Sequence, residues 1–532
     1  MSKIKELIHD HKYSKLWQTT CGFIDLSLEE FMNTQRWLLE EQLNLLNNSE
    51  LGRKVMRGAS PKTLEEFRET VPLTTYADYI PELSEKREDV LPAKPVHWIH
   101  TSGKSGEYAY KWIPISERMW EEIGSVTCAI RIFTKARYKG HVNIRLNARL
   151  LNAMAPMPYI SGLIAHKCEE EFGFRYLPPL KESEHLPFTE RIEHGFWMAM
   201  EEGIAGVFGL AGVLVAIGER FNTKSNSLKP TALLSRPRTL LRLTRGLIKS
   251  KIAGRPMLPR DIWSLEAISC SGTDSIVYKD KINAMWGLQP LDVYACTEGI
   301  FIATQQWDRT GMTFVPNLNL LEFIPETEQL KWAEDHAYQP KTVLLDGVQA
   351  GQNYELVITN FHGGALVRYR VGDLIRITSL SNSALGINIP QMSFQRRADE
   401  LIDIAGFTRL TEKVIWQAIE NTGIPYLDWT ARKDIYKGKS VLHIYLELKN
   451  GATATEQEFA TAMHEQLITL DADYADLQNI LNMKPVIITL LKNGSFLNFI
   501  AKRMAEGADL AHLKPRHINP SDEVLTVLGV KP

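Results

Sequence analysis

Three observations predict an α/β architecture in two domains. The 532 residues exceed the roughly 250–300 over which a single core keeps growing. From residue 96 onward, short apolar runs broken by Gly, Ser and Pro alternate with helix-like stretches, the texture of strands and crossover helices in largely parallel sheets. Beyond residue 395 the pattern simplifies to a smaller α/β unit, which divides the chain into residues 1–395 and 396–532.

The elements follow in order. Leu28, Phe31, Met32, Trp37, Leu38, Leu43, Leu45 and Leu46 recur at helical spacing, and Ser27 followed by Glu30 has the form of a capping box. A short helix is expected over residues 63–69, and VPLTTYADYIPEL reads as an extended segment and then a helix. Strands are expected at residues 96–100, 267–270, 291–294, 355–359 and 374–377. The apolar run from Gly203 to Gly218 is shorter than the ~20 residues that span a bilayer. Glu201, Glu202 and Glu219 close it, so a buried helix or helix–strand piece is expected.

Residues 221–260 carry ten Lys and Arg and no Asp or Glu, and Leu240, Leu241, Leu243, Leu247, Ile248 and Ile252 fall on one helical face. This predicts an amphipathic helix with its basic side in water. A polyphosphate or coenzyme A contact and membrane-surface docking are the other readings. A Ser/Asn/Gly-rich loop over 379–392 leads to RRADELIDIAGFTRL, with the domain boundary near Gln395–Asp399. Beyond it, strands are expected at 439–448 and 485–491 and a helix at 456–470.

Bulk properties exclude more than they identify. A net charge of −2 favours neither nucleic-acid binding nor an acidic tail. Five scattered cysteines without a C-x-x-C pair argue against a disulfide framework or a zinc site and suit a reducing compartment. The opening MSKIKELIHDHKY has no apolar h-region, so a cytoplasmic protein without signal peptide or transmembrane segment is expected. A monomer is expected.

Four segments carry candidate chemistry. In HTSGKSGEYAYKWIP, a strand runs into Thr101, Ser102, Gly103, Lys104, Ser105 and Gly106, with Lys111 following. Small residues let backbone N–H groups approach an anion, and hydroxyls and lysine add donors and charge. The spacing is not Walker A, and an ordinary surface turn is the alternative. In VYACTEG, Thr297 and Glu298 follow a strand end, where a carboxylate beside a hydroxyl could hold Mg²⁺ against phosphates; a capped turn is the alternative. In VRYRVGDLIRI, Gly372 permits a tight turn, Asp373 could accept from two vicinal hydroxyls, and Arg368, Arg370 and Arg376 offer charge near an anion. Finally, Lys514 precedes Pro515 in a loop, where a long cation can reach into a cleft or simply be solvated.

Taken in order, the Thr/Ser/Gly loop, Y-x-x-T-E, Y-R-x-G-D, R-x-D-E-L-I-x-I-x-G and the late lysine resemble the adenylate-forming superfamily. Within it, FMNTQRWLLEEQLNLLNNSELGRKV, FRETVPLTTYADYIPEL and NGSFLNFIAKR with HLKPRHI are similar to the acyl-acid amido synthetases, the Gretchen Hagen family of auxin-responsive genes. The resemblance implies a large N-terminal adenylate-forming domain with mixed sheets flanked by helices, a small mobile C-terminal α/β domain, and ATP with Mg²⁺. It implies that residues 101–106 cradle phosphate, that Tyr294 packs near adenine and that Thr297 lies near the α-phosphate. Glu298 would bind Mg²⁺, Asp373 the ribose hydroxyls, Arg397 the domain junction, Asp399 the hinge, and Lys514 the α-phosphate. Lys104 departs from the family's usual Ser or Thr.

The implied reaction joins a carboxylic acid to AMP and passes the acyl group to an amine, in the family an amino acid. Lys104 and Lys514 would lower repulsion between the two anions. A coenzyme A thiol as acceptor and an inactive nucleotide-binding protein of the same fold remain the alternatives. The acyl pocket is expected to draw on residues 119–157, with Met154, Pro156, Met157, Pro158 and Tyr159 serving as its wall or as ordinary core.

Overall fold

Ser27 opens the first long helix, α1 (Leu28–Asn47), in a computed structural model of the chain. Its backbone N–H donates to Glu30 Oε2 at 2.7 Å, and its hydroxyl accepts from the Glu30 N–H at 3.2 Å. Two of the donors that every helix start leaves unpaired are thereby satisfied, as the capping-box pattern predicts. Thr63 caps the short helix Leu64–Thr70, its hydroxyl accepting from the Glu66 N–H at 3.2 Å. The segment from Val71 begins extended, with Thr74 bridging Tyr369, but continues as a 3₁₀ turn, Tyr76–Tyr79, where a helix was expected. Pro72 and Pro81 lie close on either side and leave little room for an i→i−4 ladder.

The structure describes residues 3–101, 110–186, 188–211, 213–215, 217–219, 236–271, 275–334, 338–397, 401–404, 408–436, 439–471, 474–475, 484–505 and 515–530. The chain divides into two units, Met1–Gln395 and Arg396–Pro532.

Strands β1 (Pro95–His100) and β2 (Trp112–Ser116) form an antiparallel pair. The main sheet contains β3 (Arg149–Ala153), β4 (Arg175–Leu177), β5 (Gly206–Leu210), β6 (Ala267–Ser271), β7 (Leu291–Cys296), β8 (Ile300–Thr304), β9 (Met312–Phe314), β10 (Asn319–Pro325), β11 (Asn353–Asn360), β12 (Tyr369–Ser379) and β13 (Gln391–Arg397). Their order is β10-β11-β12-β13-β9-β8-β7-β6-β5-β3-β4. Every pair from β4 across to β7 is parallel. Beyond β7 the pairings β7–β8, β8–β9, β9–β13, β11–β12 and β10–β11 are antiparallel. The expectation of largely parallel strands therefore holds for one half of the sheet. In the other half, connections such as residues 297–299 between β7 and β8 are too short for a crossover and can close only as hairpins.

Helices α2 (Glu117–Lys135), α3 (Ile160–Phe172) and α4 (Phe188–Glu202) lie on the parallel half, with α2 against β6, β7 and β8. Gly203–Gly218 resolves into β5 and helical backbone at 213–215 and 217–219. Among the described residues no helix is long and apolar enough to cross a membrane.

Helix α5 (Pro237–Ile252) forms as expected but is oriented differently. Leu241 is 71% exposed, Ile252 83%, and Leu240, Leu247 and Ile248 are also exposed, while Thr239, Leu243, Gly246 and Ser250 are buried. The small residues of this face fit against neighbouring elements: at Gly246 an added Cβ would come within 2.5 Å of Ile262. The aliphatic face expected to be buried is therefore left outside among the described residues.

In the second unit, β16 (Tyr426–Tyr436) pairs antiparallel with β17 (Lys439–Leu448), which pairs in parallel with β18 (Val486–Leu490). Between β13 and β16 lies a small antiparallel pair, β14 (Leu401–Ile404) with β15 (Thr408–Thr411). Helices α6 (Glu412–Asn421) and α7 (Glu456–Leu470) contribute Ile415, Ile419, Phe459 and Met463 to this unit's own core.

Residues 516–519 run beside β16: the Ala431 N–H donates to His517 O at 2.6 Å, and the Asn519 N–H donates to Ala431 O at 2.8 Å. The His517 ring stacks on Trp429 at 4.5 Å and lies between two carboxylates, Glu412 Oε1 at 2.6 Å from Nδ1 and Asp428 Oδ1 at 3.1 Å from Nε2. Burial pulls its pKa down, but the two carboxylates outweigh this and raise it from 6.5 to about 9. The protonated ring therefore stabilises the folded unit in full below about pH 6.5, and that contribution disappears as the pH rises through 9. Urea unfolding of the full chain, followed by tryptophan fluorescence, is expected to weaken by on the order of 2 kcal/mol between these limits. His517→Gln should flatten that slope.

Candidate active site

β7 is the strand at which the sheet changes from parallel to antiparallel pairing, and its C-terminal end carries Tyr294, Thr297 and Glu298. The strand turns back into β8 through Thr297, Glu298 and Gly299, and Ile300 takes φ +61° to complete the reversal. A β-branched residue at that angle is strained by on the order of 1–3 kcal/mol and must be held by its surroundings.

Two side-chain amides hold the turn. Asn360 Nδ2 donates to Glu298 O at 2.9 Å, and Asn319 Nδ2 donates to Gly299 O at 2.8 Å. Asn360 Nδ2 also donates to Asn319 Oδ1 at 2.9 Å, and its own Oδ1 accepts from the Leu366 N–H at 3.1 Å. Helix α1 braces the amides from behind. Gln35 Nε2 donates to Asn319 O at 2.6 Å, and Gln42 donates to Gly364 O at 2.9 Å while accepting from the Gly363 N–H at 2.8 Å. Both glutamines are fully buried.

β12 brings the third motif to this turn. Its register against β11 pairs Glu355 with Leu374 and Val357 with Arg370, so Val371, Gly372 and Asp373 together oppose the single residue Leu356. Gly372 at φ +77° accommodates the bulge. Asp373 is 5% exposed, and Tyr294 donates its phenol hydrogen to Asp373 Oδ2 at 2.6 Å. Burial first, and then the negative charge of Asp373, Cys296 and Glu298, push the Tyr294 phenol well above its ordinary pKa. It stays a donor at any working pH.

The base of the first motif adjoins the same region. The Thr101 N–H donates to Lys111 O at 3.1 Å, and its hydroxyl accepts from the Lys111 N–H at 3.2 Å. Lys111 Nζ donates to the Tyr369 hydroxyl of β12 at 3.3 Å. Tyr76 accepts from the Trp112 N–H at 2.6 Å, and burial together with the nearby Glu298 charge pushes its phenol up to about 12.

Thr101, Tyr294, Thr297, Glu298 and Asp373 thus belong to one region of the first unit. Ser102, Gly103, Lys104, Ser105, Gly106, Asp399 and Lys514 lie outside the described residues, as does the Arg397 side chain. Thr297 and Glu298 lie in the hairpin turn after β7, and both are buried.

Two of the third motif's three arginines, Arg368 and Arg370, spend their charge inside the fold. Arg368 makes a two-point contact with Glu322 at 2.9 and 3.0 Å, and also donates to Arg68 O and Val71 O. Arg370 grips Glu355 at 2.7 and 2.9 Å and lies 3.9 Å from the centre of the Trp332 ring. Arg376 faces solvent. A guanidinium next to a Gly-Asp turn was read as ligand-facing, but a buried cation needs a counter-ion and these two have theirs within the fold.

Asn319 and Asn360 were missed. Asn360 ends the strand-forming run ELVIT, and a short amide followed by F-H-G-G is the available hint. The wall proposed at Met154, Pro156 and Met157 borders a hollow beside α3. A different cavity lies between α2 and the sheet. Asn360→Ala would leave Glu298 O and the Leu366 N–H unpaired. It is expected to cost about 2–4 kcal/mol of unfolding free energy in urea, with Asn360→Asp less damaging at low pH.

Models of three domains of the GH3 family match this chain: the N-terminal domain at residues 21–153, the central domain at 312–397 and the C-terminal domain at 410–523, together more than half of it. A jasmonoyl–L-amino acid synthetase of Oryza sativa subsp. japonica is 29% identical over 231 residues, which cover 40% of this chain and 38% of the relative. A probable indole-3-acetic acid-amido synthetase of Arabidopsis thaliana is 30% identical over 222 residues, covering 39% of this chain and 34% of the relative. The matched region thus spans well under half the length of either relative. Among solved structures, the AtGH3.15 acyl acid amido synthetase in complex with 2,4-DB has a TM-score of 0.65 at 18% identity, over 97% of this chain and 95% of that one. A 2-hydroxyisobutyryl-CoA ligase in the postadenylation state has a TM-score of 0.63 at 15% identity, over 96% and 93%. At these identities the likeness is one of fold.

Proposed function

This chain belongs to the GH3 family, and from that premise we propose that it is an ATP-dependent ligase that activates a carboxylic acid as an acyl-adenylate and transfers the acyl group to the amine of an amino acid. The observation that carries this reading is the 2.6 Å hydrogen bond from Tyr294 to Asp373 beside the Glu298 turn. It joins two motifs separated by 79 residues at one buried point.

In this reading the substrate carboxylate attacks the α-phosphorus of ATP, a C–O–P linkage forms and pyrophosphate leaves. The amine then attacks the acyl carbon, loses a proton and displaces AMP, leaving an amide. Asp373 accepts from the ribose hydroxyls, and the Tyr294 phenol keeps its carboxylate aimed while lining the nucleotide. Thr297 donates toward the α-phosphate. Lys111, with Thr101 closing the base of the segment 102–109, tethers the phosphate loop in which Ser102, Gly103, Lys104, Ser105 and Gly106 bind the polyphosphate. Lys104 and Lys514 supply positive charge where two anions meet, Arg397 marks the junction of the two domains, 1–395 and 396–532, and Asp399 the hinge.

The residues present suit Mg²⁺. That ion takes one or two carboxylates and fills its other positions with phosphate oxygens and water, and Glu298, a hard donor 7% exposed beside the Thr297 hydroxyl, can supply the protein's share. No group of three His, Cys, Asp or Glu able to hold a metal unaided occurs among the described residues. Bound there, Mg²⁺ would neutralise phosphate charge. The protein is proposed to act as a cytoplasmic monomer.

Pyrophosphate release from ATP against a panel of carboxylic acids, with amino acids or coenzyme A added, tests the reading. Acid-dependent release stimulated by amino acids is expected. Stimulation by coenzyme A alone would move the enzyme to thioester formation, and ATP binding without release under any acid would leave a catalytically silent nucleotide-binding protein. Glu298→Ala is expected to lower kcat at least about 100-fold, and Tyr294→Phe to raise the KM for ATP about 10-fold through loss of a charged hydrogen bond.

A further inference from the structure

Helix α5 carries a face that neither the fold of the described residues nor the proposed reaction uses. At about 100° per residue, Leu240, Leu241, Leu247, Ile248 and Ile252 gather in an arc of about 140°, and all five are exposed. Thr244 and Lys251 also fall within the arc. Arg238, Arg245 and Lys249 run along its flank, and the buried Thr239, Leu243, Gly246 and Ser250 occupy the side away from it.

Contacts on the inner side impose this orientation. Arg242 donates to Met200 O and, at 2.6 Å, to Glu201 O, carbonyls that the end of α4 leaves without a helical partner. Thr239 donates to Glu201 Oε2 at 2.8 Å. At Gly246 an added Cβ would also meet Met257 Sδ at 2.8 Å, so no larger side chain fits there. Rolling the helix to bury its leucines would break these contacts. Nor is the flanking charge matched nearby. Residues 221–260 contain no Asp or Glu. The acids at the ends of the packed neighbours are engaged: Asp261 by Arg255 at 2.8 and 2.9 Å, Glu201 by Thr239, and Glu202 by Arg149 at 3.7 Å. Among the described residues no carboxylate pairs with Arg238, Arg245, Lys249 or Lys251.

We propose that α5 docks the protein on an anionic lipid bilayer, lying flat with its aliphatic arc among the upper acyl chains and its cations on lipid phosphates. Docking of this kind is independent of the ligase reading, since it depends on α5 alone. The 16 residues of the helix fall short of the ~20 that span a bilayer, so it rests in the plane of the interface, as basic amphipathic helices do. Charge complementarity selects this occupant. The cations beside the arc, unmatched by any described carboxylate, call for a dense negative surface directly against an apolar layer, which acidic phospholipids supply. A protein partner fits less well. The arc holds no aromatic residue and no Met, the types that anchor protein interfaces, and it includes Lys251, a type those interfaces deplete. On a bilayer the Lys251 stem runs along the acyl layer and carries its ammonium to the headgroups.

Co-sedimentation of the full chain with vesicles tests this, comparing phosphatidylcholine alone with phosphatidylcholine and phosphatidylglycerol at about 3:1. Binding to the anionic vesicles is expected to be at least about 10-fold tighter than to the neutral ones and to weaken as salt rises from about 0.05 to 0.5 M. Leu241→Ser with Ile252→Ser should cut that affinity at least about 10-fold, and Arg238→Gln with Arg245→Gln about 10-fold or more. Both pairs replace exposed side chains outside the proposed nucleotide region, so pyrophosphate release in solution should stay within about 2-fold. If the aliphatic pair melts early, Ile252→Ser alone, the most exposed of the five, takes its place. Absence of the protein from the anionic pellet would overturn the proposal, as would equal binding to both vesicles. Binding that survives both pairs would place the contact elsewhere on the chain. Binding lost with the arginine pair but untouched by the aliphatic pair would make α5 a site for soluble polyanions or an acidic protein. Sedimentation equilibrium without lipid is expected to show a monomer; self-association that the aliphatic pair abolishes would assign the face to a second copy of the chain and reject the bilayer.

Discussion

The site depends on one chain of buried amide hydrogen bonds. It starts at Gln35 and Gln42 on α1, passes through the backbone at Asn319 and Gly364, and ends where Asn319 and Asn360 grip the carbonyls of Gly299 and Glu298. Every donor in that chain is out of reach of water, so each broken link leaves a polar group unpaired in a low-dielectric interior, where the loss is largest. The strained φ of Ile300 persists because these amides hold the turn around it. The turn in turn sets where Thr297 and Glu298 lie relative to Tyr294.

The sheet explains why the turn is placed there. β7 pairs in parallel with β6 and antiparallel with β8, so the crossover-linked half of the fold meets the hairpin-linked half along this strand. A change of strand sense opens space at a strand end, and ligands in α/β sheets gather at such points. The bulge in β12 then advances Asp373 out of register and into reach of the Tyr294 hydroxyl. One strand end and one bulge, remote in sequence, are joined by a single hydrogen bond with little exposure to solvent.

Buried charge is handled in two ways in the same unit. Arg368 and Arg370 are matched by Glu322 and Glu355, and these pairs tie β12 to β10 and β11. They organise the sheet behind Asp373, and replacing one partner would strand the other at high cost. Arg131 instead donates to the Ser269 hydroxyl and the Cys168 thiol, with the Phe174 and Phe208 rings beside it. The basic α5 adds a third situation, with aliphatic side chains outside and small residues inside. Its amphipathic pattern was visible, but which face turns inward depends on neighbours that can accept a small surface, and a helical wheel contains no information about them.

Local chemistry was legible without the fold. The Ser27–Glu30 capping box, the strand leading into Thr101 and β7 before Thr297–Glu298 all depend on residues within a few positions of one another, and each formed; at Gly372 the expected tight turn is instead a bulge inside β12, set by that strand's pairing with β11. The order of the motifs was legible too, and the family assignment followed from it. What only tertiary structure decided were pairings across the chain: Asn360 with Glu298, Arg368 with Glu322 at 46 residues' separation, and the antiparallel half of the sheet. A side chain's neighbours across a sheet are set by strand order and register, which arise from burying the whole core at once. No window of residues along the chain encodes them, so the same arginine reads as a ligand contact in sequence and proves to be a structural ion pair in space.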